Sequence, residues 1–289
     1  MQMKRLIVNA DDFGLTPGVN RAILELHEAG RLTSATLMAS APATGEAIAM
    51  ALATPTLGVG CHVVLVDGSS VTPVGQLPNL AGGRDLSRTL GQFLTRIHLA
   101  SPRAIAAEIE LEAFTQISRL RDRGVSPTHI DTHKHTHMFP RVLRPVLRAA
   151  RRAGIRAVRN PFEPSWSIRA TPGAPGVRRI QIQILRRLEP AFRRIVAEEG
   201  FVTTDGAVGV LATGSLDQAT IDSLLRALPD GVWELVTHPG YHDADLNRVR
   251  TRLLTSRQTE RTALQSVSVP SEIEPITFAN LPFAEDSRT

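Results

Sequence analysis

The feature that most limits what this chain can become is its alternation of short β-branched runs with longer helical periods. Residues 5–10 (RLIVNA), 32–39, 57–65, 128–131, 155–159, 206–211 and 232–238 read as strands, and 276–279 reads as a last one. Helical patterns lie between most of them: 17–29, opened by Thr16-Pro17 and closed by Gly30, a stretch ending at 53, then 102–124, 139–153, 177–199, 217–228 and 246–267. Strand and helix alternate in this way with no linker or internal repeat between them. That predicts an α/β chain: one domain over 1–289, built as a distorted, TIM-like (β/α) barrel with a mostly parallel sheet. Two stretches break the rhythm. Residues 66–100 are irregular, and 160–176 (NPFEPSWSIRATPGAPG) reads as a loop or lid.

The polar residues are not spread evenly over this scheme. Asn9, Asp11 and Asp12 follow the first strand, His62 falls at the third, and His129, Asp131, His133, His135 and His137 follow the fourth. Arg159 and Asn160 follow the fifth, and His238 ends the seventh. In a parallel barrel those strand ends form the active-site face. Two adjacent carboxylates repel and raise each other's pKa, unless a cation coordinates one of them and leaves the other to act as a base. THIDTHKHTH, if extended, places its four histidines and Asp131 on one face. Imidazole and carboxylate together suit a borderline divalent ion, and two histidines with one carboxylate leave positions open for water and substrate. Not all of these groups fit around one ion, so some must support it or face the substrate. His62 sits in an apolar run and is expected as a ligand through its strand-end position. Its neighbour Cys61 is expected as core packing. His238, before Pro239-Gly240, is either a general acid or a turn cap. No phosphate loop, dinucleotide fingerprint or GxSxG elbow occurs.

A single cysteine excludes an internal disulfide framework. Leu6-Ile7-Val8 is too short for a secretory core or a membrane span, so a cytoplasmic protein is expected. The net charge of +5 is concentrated: fourteen arginines stand between Arg141 and Arg194 against Glu163 and Glu189. Such a segment suits an anionic membrane or a subunit partner such as a second copy. It equally suits a plain solvated helical surface, and nucleic acid is not the expected partner.

Five motifs in order, NADDFGLTPGVNRAI, TSATLMAS, LGVGCHVVL, THIDTHKHTH and ELVTHPGY, resemble the YdjC-like carbohydrate deacetylases. That group includes chitooligosaccharide deacetylases and hopanoid-associated proteins, and the resemblance runs from about 6 to 264. It implies a distorted (β/α) barrel that removes the acetyl group from an N-acetylated sugar, in an oligosaccharide or glycolipid. It also implies one divalent ion, Mg2+ or Zn2+, held by Asp12, His62 and His133. Asp11 then corresponds to the base that activates water, and His238 to the late histidine of the site. Asn9, His129, Asp131, His135 and Arg159 are left to face the substrate. The family often carries a further histidine where this chain has Lys134, and the 66–100 and 160–176 loops match nothing securely. The competing readings are a metal-dependent hydrolase of a non-sugar amide or phosphoester, and a basic membrane- or nucleic-acid-binding protein without catalysis.

Overall fold

A computed structural model of the protein describes residues 3–82 and 85–282. Seven strands form one parallel sheet: β1 (Lys4–Phe13), β2 (Ser34–Leu37), β3 (Gly58–Val63), β4 (Ile130–Thr132), β5 (Gly206–Val208), β6 (Gly231–Thr237) and β7 (Ile273–Pro275). Their order is β4-β3-β2-β1-β6-β5, with β7 beside the first residues of β1 and β2 beside the later ones. The sheet curls. Beyond β4, Ile130 bridges Val158 and Ala157 bridges Val202, and the chain then runs from Val202 into β5, which pairs with β6. This is the expected distorted (β/α) barrel.

The period of two along each strand builds the site from the bottom upward. Ile7, Ala157 and Val232 pack with Ile276, Phe278 and Leu281 into an apolar cluster of their own. Two residues further on, the same rows carry Asn9, Arg159 and Glu234, and β1 then adds Asp11. Leu6, Val8 and Ala10 belong to the larger core, as does Cys61. Gly60 lacks a side chain for a visible reason: a Cβ there would lie 2.4 Å from the His129 ring, which stacks on Phe278.

Several expectations need correction. Residues 155–159 contribute bridges rather than a strand, and the last strand is β7, with Phe278–Asn280 a 3-10 turn. The helix expected over 246–267 is two, Ala244–Arg248 and Thr255–Ser266. The irregular 66–100 stretch holds a helix, Leu90–Leu99, and its earlier part is pinned from below. Glu112 accepts from the Val71 and Thr72 amides, and Glu108 from those of Asn79 and Leu80. Residues 160–176 contain the short helix Ser165–Ala170. Among the described residues, no helix is long and apolar enough to cross a membrane.

Candidate active site

An ordinary strand sends neighbouring side chains to opposite faces, yet Asp11 and Asp12 both turn toward His62 and His238. The cause is an irregularity in β1 between Ala10 and Phe13, where Asp12 takes a left-handed φ of 64°. Aspartate tolerates that region better than most residues. The rest of the first motif holds the distortion. Asn20 Oδ1 accepts the Gly14 amide at 2.7 Å, and Thr16 caps the next helix through the Val19 amide.

Three atoms converge on one side of this bulge. Asp12 Oδ1 lies 3.5 Å from His62 Nε2 and 3.2 Å from His133 Nδ1, and the two nitrogens are 3.3 Å apart. Ligand bonds of about 2.0–2.1 Å in a tetrahedral site separate ligand atoms by about 3.3 Å. Asp12 Oδ1 is buried and accepts no well-formed hydrogen bond. His62 Nδ1 faces both Asp131 oxygens, at 2.8 and 3.0 Å, which turns its Nε2 toward the other two atoms. Burial would lower the ring, but Asp131 and Asp12 raise it to about 10, so a bound ion would take the place of the Nε2 proton. The residues present therefore fit a divalent ion, and His133, about one-fifth exposed, gives the site its open side.

Asp11 has a different setting. Arg159 donates to both of its oxygens, at 2.8 and 2.6 Å, and Asn9 and Thr36 donate at 3.0 and 3.1 Å. His238 Nε2 lies 3.7 Å away. Mutual elevation of the two carboxyl pKa values, expected from their adjacency, does not occur. Burial pushes each carboxyl up, but Arg159 beside Asp11 and Arg257 beside Asp12 hold both well below the usual range. Burial lowers His238 to about 4 despite the nearby carboxylates, so it is neutral near pH 7.

The extended histidine face is also corrected. Residues His133–Met138 form a 3-10 turn in which Lys134 and His135 both adopt left-handed φ values, 57° and 52°. His133 joins the convergent set, while His137 turns inward to Thr132 and the Arg159 carbonyl. Of the five residues expected to face a substrate, Asn9, His129, Asp131 and Arg159 lie fully buried beneath the site, and only His135 keeps partial exposure. Arg159 is a hub: it engages Asp11, Asp131 and Glu234 together. Burial raises Glu234 to about 7 against the pull of Arg159.

Three important residues were not singled out from the sequence. Arg257 reaches Asp12 from helix Thr255–Ser266, and Glu260, one turn on, accepts the His238 amide. Both share the buried face of that helix with Ala263 and Leu264, so charges in phase with an apolar stripe were the available signal. Glu234, at the centre of an apolar strand, was legible in the same way.

Fold and site define a class: a (β/α) barrel whose strand ends carry a three-donor, metal-type set beside an arginine-locked carboxylate. Residues 5–274 match the sequence model of the YdjC-like protein family, and the chain belongs to that family. A carbohydrate deacetylase of Brevibacillus brevis is 46% identical over 130 residues, 45% of this chain and 48% of that protein. The chain thus spans about half the length of the first such relatives it matches. A carbohydrate deacetylase of Thermoanaerobacter pseudethanolicus is 26% identical over 267 residues, covering 92% of this chain and 93% of that one. Among solved structures, a proposed cellobiose-phosphate cleavage protein of Enterococcus faecalis superposes with a TM-score of 0.73 at 25% identity, covering 96% of this chain and 98% of its own.

Proposed function

We propose that the protein is a metal-dependent deacetylase that hydrolyses the acetamido group of an N-acetylated sugar. The observation that carries this reading is the convergence of Asp12 Oδ1, His62 Nε2 and His133 Nδ1 on an open side of the barrel rim. The names of the similar deacetylases supply the substrate class. Two imidazoles with one carboxylate suit Zn2+ or a similar borderline ion better than Mg2+.

An amide carbonyl is a poor electrophile, and a divalent ion bound here would polarise it and make water a better nucleophile. The water oxygen adds to the acetyl carbon, the C–N bond breaks, and acetate and a free amine leave. Asp11 and His238 divide the proton work as a pair. Asp11, held ionised by Arg159, is a weak base alone, because its pKa lies far below neutrality. His238 beside it, held at about 4 by burial despite the Asp11 charge, is likewise a weak base but a strong acid once protonated, so the pair can pass the water proton on to the departing amine. Arg159, Asn9 and Thr36 fix the orientation of Asp11 throughout.

The test is acetate release from a panel of N-acetylated mono- and oligosaccharides, with and without added Zn2+, alongside a phosphoester and a non-sugar acetamide. Release confined to the sugars supports the reading. Hydrolysis of only the phosphoester or the non-sugar amide replaces it.

A further inference from the structure

The basic segment seen in the sequence does not form one surface. Arg159 lies inside the barrel, Arg144 and Arg151 pair with Glu198 and Glu199, and Arg152 meets Glu110. What is left is a helix that sets Leu185 against the core yet turns a second apolar row outward. In Gly176–Leu185 no residue is buried. Val177, Ile180 and Ile184, spaced to share one face, are 69%, 58% and 54% exposed. The side turned to the protein is held by Leu185 and by two arginines. Arg178 donates to the Val210 and Thr213 carbonyls, and Arg179 to those of Ile168, Thr171 and Ala174. A surface helix normally buries its apolar stripe.

The charge around this helix identifies what would cover it. Between Ser165 and Arg194 stand seven arginines and one acid, Glu189. Arg186 and Arg193 share Glu189, Arg194 meets Glu198 and Arg178 lies near Glu163, while Arg169, Arg179 and Arg187 meet no carboxylate among the described residues. Docking two such faces in a symmetric dimer would bring like charges together. An anionic lipid surface accepts both features, taking the aliphatic side chains among its acyl chains while the exposed Arg169 and Arg187 meet its headgroups. The helix is linked to the site through bonded residues: the 210–213 loop that it grips leads to Gly214, whose amide bonds Glu260, the residue that accepts the His238 amide.

We infer that Val177, Ile180 and Ile184, with the surrounding arginines, dock the protein on the surface of an anionic membrane. This does not depend on the proposed reaction. The full-length protein would be floated with phosphatidylcholine vesicles containing or lacking phosphatidylglycerol. The expected result is binding to the mixed vesicles only, weakened by salt, and reduced about 10-fold or more in Ile180→Asp/Ile184→Asp. The variant changes exposed positions alone, so its melting temperature should stay unchanged. No binding by the wild type overturns the inference, as does binding that the variant retains. A concentration-dependent dimer in sedimentation velocity that the variant abolishes would overturn it too, by assigning the face to a second copy.

Discussion

Arg257 grips Asp12 through Oδ2 alone, which leaves Oδ1 turned toward His62 and His133. The arginine comes from a helix 245 residues further along the chain. It keeps a buried carboxylate ionised and directs its free oxygen. Substituting Arg257→Met should weaken metal binding about 10–100-fold, as loss of a supporting partner typically does. Calorimetric titration with Zn2+ measures this. An unchanged Kd would show that Arg257 does not hold Asp12 for a metal.

Arg159 alone contacts all three of Asp11, Asp131 and Glu234 among the described residues. Arg159→Met strands buried carboxylates and should destabilise the protein by about 3–5 kcal/mol in denaturant unfolding. Adding Glu234→Gln removes one of them and should recover part of the loss. A single variant as stable as the wild type would refute the hub.

Four histidines that burial holds low should make acid weaken the fold, against a partial offset from Glu234 and Glu260, whose carboxyls burial raises to about 7. Burial holds His129 at about 3 and His137 at about 4, below the usual 6.5. Their unfolded forms take up protons below about pH 6.5 while the folded forms do not, so the stability they contribute falls as pH drops from there toward 4. The slope is about 1.4 kcal/mol per pH unit for each such histidine. His137→Gln should flatten melting temperature against pH in that window. An equally steep profile would mean that other groups carry the acid sensitivity.

Much of this was legible in the sequence, for identifiable reasons. The strand-helix alternation is a local pattern, and it places the barrel. Strand-end position marks Asp11, Asp12, His62 and the histidine run, while only the family resemblance selects Asp12, His62 and His133 among them. The expectation for THIDTHKHTH failed because alternation in sequence gives a shared face only in extended backbone, and Lys134 and His135 turn left-handed. The pairing of Asp11 with Arg159 and of Asp12 with Arg257 spans 148 and 245 residues, and no local pattern encodes either partner. Arg159 was seen, but as a substrate contact, because strand-end position alone does not distinguish a rim from the layer beneath it.

Asp67 ties the 66–82 loop to the histidine turn by accepting from Lys134, and it also meets Arg250 at 3.1 Å. Both cations are partly exposed, so Asp67→Ala should cost no more than about 1 kcal/mol in stability. Looser closure over the site should instead appear in steady-state kinetics as a raised KM with kcat nearly retained. A kcat loss at constant KM would place Asp67 in the reaction itself.

The central claim is that Asp12, His62 and His133 hold one catalytic divalent ion. Chelator-treated wild-type protein and His133→Ala would be titrated with Zn2+ by calorimetry, and acetate release from an N-acetylated sugar followed in the same samples. The account predicts one equivalent bound and activity restored in the wild type, with neither in the variant. Full activity in chelated wild type, or in His133→Ala, would contradict it.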